Sequence, residues 1–196
     1  MSQVRPILWP MTYAGLDSWP EPPVNGDEVE TLLGSLDRQR ATFAWKVGGL
    51  DAMGLRATLG SSSVTLGGLL KHLALVEDYY FSVRLMDNPH AAPFDQIDWE
   101  NDAGSEWASA ASDEPAYLYG LWQRMVDQSR RLTLEALASG GLDQSMRQKW
   151  PDGRAPSLRR TLVDLIEEYA RHVGHADLIR ESVDGVVGED PPGVHD

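Results

Sequence analysis

PSLRRTLVDLIEEYARHVGHADLIRE, residues 156 to 181, is the stretch whose reading decides the fold. Leu158, Leu162, Leu165, Ile166, Tyr169, Val173 and Ala176 recur at threes and fours, the repeat of one apolar face of an α-helix. Pro156-Ser157 opens this helix and Asp184-Gly185 closes it. A stripe of that length has to be buried against other helices, so the rest of the chain is searched for partners. Beside the apolar stripe runs a second one, polar, made of Glu168, His172 and His175.

Three partners are visible. From Asp27, Val29, Leu32, Leu33, Leu36, Phe43 and Val47 keep helical spacing until Gly48-Gly49. A second run, Leu69, His72, Val76, Tyr79 and Val83, ends near Asn88-Pro89, with Ser61 to Ser63 as cap candidates before it. A third starts at Ser112-Asp113-Glu114-Pro115 and runs to Gly140-Gly141. No internal repeat is visible and alternating strand patterns are nearly absent. The expected fold is all-α, a four-helix bundle spanning 27–188.

Outside the bundle, residues 1–26 are rich in proline and aromatic rings (Pro6, Pro10, Pro20, Pro22, Pro23, Trp9, Tyr13, Trp19) and read as an ordered arm laid on the domain. Residues 189–196 read as a flexible tail. Between Pro89 and Pro115 the chain is acidic and irregular, which predicts a long surface loop pinned by Trp99 and Trp107. Those indoles are also candidates for a lid.

Composition removes several function classes. The 196 residues carry a formal net charge of −13, unsuited to phosphate backbones or anionic membranes, so neither nucleic acid nor membrane is expected as partner. There is no cysteine, hence no disulfide, thiolate metal site or cysteine nucleophile. The start, MSQVRPILWPMTYAG, lacks the pattern of a secretory leader, and no apolar run is long enough to span a bilayer. A cytoplasmic location is expected. The serines at 61 to 63 lack a GxSxG setting, the glycine pairs lack phosphate-loop spacing, and DQIDWENDAGSE does not match a calcium loop.

The histidines carry the chemistry. The spacing of the second helix turns His72 toward the core, where a histidine is ordinarily bonded to a carbonyl or a tyrosine. Glu168 and His172, four apart, have a plainer second reading as a helix-surface pair, with His175 favoured by the helix dipole. Taken together, a carboxylate and an imidazole four apart on one helix and an inward imidazole on another make a facial set of three. Such donors suit zinc or nickel first, iron or manganese next, and leave positions open for water or substrate. Arg171 and Arg180 read as ion-pair partners, with Arg180 also able to anchor an anionic group.

PVNGDEVETLLGSLDRQRATFAWKVGGL, TLGGLLKHLALVEDYYF and PSLRRTLVDLIEEYARHVGHADLIRESVDG closely resemble the DinB-like superfamily of metal-binding four-helix bundles, and within it the DUF664 branch. The resemblance runs from about residue 25 to 188, and its most specific parts are LLKHL and EEYARHxGHAD followed by LIRE. It implies a divalent metal held by His72 of the second helix and by Glu168 and His172 of the last. This is the Glu-x-x-x-His form found in relatives similar to mycothiol-dependent maleylpyruvate isomerase. His175 then falls in the pocket or behind the ligands, or replaces Glu168 as third ligand. Asp164 stands where many members of the branch have a histidine.

The resemblance further implies a thiol-dependent transferase, isomerase or detoxification enzyme, using mycothiol or bacillithiol against a small electrophile. The alternative is a non-catalytic, stress-associated protein that binds a metal or small ligand. With no cysteine in the chain, the thiol has to be a cosubstrate. In the enzymatic reading His175 accepts the proton of the thiol or water and Asp164 orients His175. A homodimer is the expected assembly.

Overall fold

The computed structural model describes residues 19–102 and 104–192, so most of the expected arm and the last four residues of the tail lie outside the described residues. Among the described residues the chain is all-helical, without a strand. Four long helices form the bundle: α1 (Glu28–Val47), α3 (Leu66–Glu77), α5 (Pro115–Gly140) and α6 (Leu158–Asp184). Two short helices, α2 (Ala52–Arg56) and α4 (Ser105–Ala110), cover its surface. Helix α1 packs along α6 and α3 along α5, while α6 also meets α3. Among the described residues no helix is long and apolar enough to cross a membrane.

Local chemistry explains most of the boundaries. Asp27 caps α1 in a reciprocal box, its carboxylate accepting from the Glu30 amide while Glu30 accepts from the Asp27 amide. Pro115 opens α5, and Ser157 caps α6 by accepting from the Arg160 amide. Gly185 ends α6 at φ 78°, a left-handed backbone that glycine adopts without a side-chain clash. The cap of α3 is Thr65, whose hydroxyl accepts from the Gly68 amide, and not the expected serines at 61 to 63.

Helix α3 is the axis of the fold. Leu66, Leu69, Leu70 and Leu73 are fully buried, and Gly67, Gly68, Lys71, Ala74, Val76 and Glu77 are buried too. The buried residues of α3 lie on all but one side of it, so most of the helix is enclosed by the rest of the bundle. The expected one-faced stripe is therefore corrected: His72 lies on the least covered line of α3, not in its core, and Tyr79, two turns along that line, is 38% exposed. Beyond Glu77 the helix continues as a π-helix over Asp78–Leu85, burying Phe81, Ser82, Val83 and Leu85.

A polar knot ties all four long helices together at the level of Glu77. Arg40 of α1 grips this buried carboxylate through Nε at 2.8 Å and Nη2 at 2.7 Å. The Tyr169 hydroxyl of α6 donates to it at 2.7 Å and in turn accepts from the Trp122 indole of α5 at 3.0 Å. Burial, reinforced by the Glu77 charge, pushes the Tyr169 phenol far above its ordinary value. Phe43 meets the Trp122 and Tyr169 rings edge to face at 5.6 and 6.2 Å.

The carbonyl end of α1 is closed by side chains from elsewhere. Arg180 donates to the Lys46 and Gly48 carbonyls at 3.0 and 2.7 Å, and the Tyr119 hydroxyl donates to the Val47 carbonyl at 2.6 Å. Arg180 also pairs with Asp184 one turn on at 2.9 Å, as an ion-pair partner would. At the tail, Asp190 pairs with Arg38, and the Glu189 carbonyl accepts from Thr42 at 3.3 Å.

Candidate metal centre

Helix α6 carries Glu168 and His172 one turn apart, so their side chains leave the helix in the same direction. Glu168 Oε1 stands 3.0 Å from His172 Nε2 and 3.3 Å from Nε2 of His72 on α3. One donor atom from each of the three residues lies within 4.8 Å of the others, and the two imidazole rings meet edge-on at 5.0 Å. The neighbouring imidazoles, His172 first and His72 second, hold the Glu168 carboxyl well below the ordinary carboxylate range.

Both imidazoles aim Nε2 inward at one carboxylate oxygen. Three lone pairs that converge in this way need a positive charge between them, a proton or a cation. Two nitrogens and one carboxylate oxygen from two helices fit a divalent first-row metal with positions left open. The expected trio His72, Glu168 and His172 is thus brought together.

The outward nitrogens are also engaged. His172 Nδ1 lies 3.3 Å from Nδ1 of His175, which is exposed and stands behind the ring, away from the converging atoms. His72 Nδ1 lies 3.3 Å from Oε1 of Glu106 on α4, a buried carboxylate. The neighbouring Trp107 stacks on His72 at 4.5 Å and reaches within 6.2 Å of the His172 ring centre.

Helix α4 corrects the expectation of an irregular loop between Pro89 and Pro115. It packs along α3, held where Lys71 donates to Ser109 at 2.8 Å and pairs with Asp113 at 2.6 Å. Gly68 leaves the room: a Cβ there would meet Cε3 of Trp107 at 2.8 Å. Upstream, Phe94 is buried from a single 3₁₀ turn whose other two residues are exposed. Of the two tryptophans expected to reach the pocket, Trp107 touches the site histidines, whereas Trp99 packs against His90 at 5.3 Å and is 37% exposed.

Glu106 was missed as a site residue because it reads as one more charge in an acidic segment. Its only signal is a place beside Trp107 among small residues, in SEWASA, which is too short to show a period.

Asp164 does not meet His175. Eleven residues of α-helix separate them by about 16 Å along the axis. Its partner is Arg160, one turn earlier, at 2.5 Å. Tyr80 lies near this end of the site; burial, followed by the charge of Asp164, raises its phenol above the ordinary value. Arg171 makes a long contact with Glu168 at 3.9 Å.

A family model described as MST: Mycothiol-S-transferase matches residues 31–185 of the chain. No curated protein matches it.

Proposed function

We propose, from the premise that the chain belongs to the mycothiol-S-transferase family, that His72, Glu168 and His172 hold a divalent metal, zinc or nickel first, at which a low-molecular-weight thiol attacks a small electrophile. The observation that carries the reading is the convergence of His72 Nε2, His172 Nε2 and Glu168 Oε1. Bound there, the metal would lower the pKa of a thiol and polarise an electrophile through its open positions.

The protein's own residues supply the rest. Glu168 brings one negative charge, which offsets part of the charge of a dication and leaves the centre able to attract a thiolate. Trp107 lies over His72 and keeps water from that side of the centre. In the transfer the thiol loses its S–H proton, sulfur forms the new bond to carbon, and the leaving group or π-electron pair departs from that carbon. His175 is proposed as the route for the proton, supported by its exposure and its contact with His172. Asp164, no neighbour of His175, is proposed instead to hold Arg160 beside the mouth of the site.

The test is metal content of untagged protein by plasma mass spectrometry, with His72→Ala and His172→Ala alongside. It is followed by loss of free mycothiol in the presence of a panel of alkyl and epoxide electrophiles. Near-stoichiometric metal that both variants lose, with thiol consumption by wild type alone, supports the reading. Wild-type protein that refuses added zinc, nickel and manganese overturns it. Metal without thiol consumption favours a binding protein instead.

A further inference from the structure

We propose that Glu106 is a positioning residue: its carboxylate accepts the Nδ1–H of His72 and thereby fixes the ring in the tautomer that turns the Nε2 lone pair toward Glu168 and His172. A neutral imidazole carries one N–H, and the nitrogen that keeps it is the one offered an acceptor. His72 has a carboxylate at each end, Glu106 Oε1 at Nδ1 and Glu168 Oε1 at Nε2, both at 3.3 Å.

Two differences favour the Glu106 end. The Glu106 side chain is 7% exposed and that of Glu168 29%, so the bond at Nδ1 lies in the lower dielectric. Glu168 Oε1 is also shared with His172 at 3.0 Å, whereas Glu106 Oε2 has no hydrogen-bond partner among the described residues. A buried carboxylate held so incompletely depends on the one imidazole it meets. The element that carries it is built to press on this ring, since Gly68 makes room for Trp107 and Lys71 fastens the far end of α4 through Ser109 and Asp113.

The inference deepens the metal-centre reading, because an imidazole held in this way is a better oriented and more basic ligand, but its first test needs no metal. The ring nitrogens of His72 are observed by long-range proton–nitrogen NMR in metal-free protein, at a pH where the ring carries a single proton. The expected result is a proton on Nδ1 in wild type and in Glu106→Gln, which keeps an acceptor oxygen, and on Nε2 in Glu106→Leu.

The second readout is the zinc dissociation constant by chelator competition. It should weaken by about 10–100-fold in Glu106→Leu, and by less in Glu106→Gln. A wild-type ring protonated at Nε2, or a Glu106→Leu protein with the wild-type tautomer, overturns the proposal. Wild-type protein that binds no zinc would sink the metal-centre reading alone, and the tautomer would still decide the role of Glu106.

Discussion

Glu168 Oε1 stands 3.3 Å from Nε2 of His72, although 96 residues separate the two along the chain. The carboxylate is the hub of the site: each imidazole approaches it from its own helix, and each keeps its outer nitrogen for another partner. A centre arranged in this way loses more when the hub is altered than when its supports are.

Glu168→Gln keeps the size of the side chain and removes its charge. The zinc or nickel dissociation constant is expected to rise by more than the roughly 10–100-fold typical of an outer partner. His172→Ala should do the same. Chelator competition measures both, and far-UV circular dichroism that matches wild type separates lost affinity from lost fold.

Gly68→Ala places a Cβ 2.8 Å from the Trp107 ring and 3.1 Å from the Thr65 hydroxyl. Either the indole leaves His72 or α3 and α4 move apart. Overpacking of this kind costs about 1–3 kcal/mol. Urea unfolding should show that loss, and adding Trp107→Leu to Gly68→Ala should recover part of it; a Gly68→Ala protein as stable as wild type would contradict the contact.

Glu77→Gln leaves the Arg40 guanidinium buried against a neutral amide. Breaking a buried pair from one side costs about 3–5 kcal/mol. The double variant Arg40→Met/Glu77→Leu, which removes both charges and fills the space with apolar atoms, should lose far less. The same unfolding series compares the two.

Asp78 provides the pH prediction. Burial raises its carboxyl above the ordinary 3.8, even though His90 donates to it at 2.7 Å. A raised acid binds its proton more readily in the folded state than in the unfolded one. Its contribution to stability is therefore greatest below 3.8 and declines as pH rises through the folded value. Asp78→Asn lacks this slope. Relative to wild type, the variant should gain stability as pH is raised from about 4 to 6 in urea unfolding; a constant difference would show that the folded carboxyl titrates normally.

The parts of the fold that local chemistry writes were legible in the sequence. Asp27, Pro115, Ser157 and Gly185 each mark a helix end by what their own backbone or side chain does, and all four stand where the chain predicts. Thr65 and Ser61 to Ser63 are equally good caps, and which one serves depends on where α3 is packed. Glu168 and His172 share a direction whatever surrounds them, because one turn of helix sets it.

The orientation of His72 was less legible, since it depends on how many neighbours enclose α3. Glu106 was out of reach altogether: nothing in a six-residue helix reports that it is folded back onto an imidazole 34 residues earlier. Arg180 is a similar case: besides Asp184 one turn away, its guanidinium meets two carbonyls more than 130 residues earlier.

Those carbonyls bear on how the chain assembles during synthesis. The last turn of α1 emerges first but is completed by a hydroxyl made 72 residues later and a guanidinium made 134 residues later. Until α6 has left the ribosome, that end of α1 is open to water and free to fray. The stretch that carries Arg180 also carries Glu168 and His172. A nascent chain therefore acquires the guanidinium brace of α1 together with Glu168 and His172, and a chain that stops short of α6 has neither.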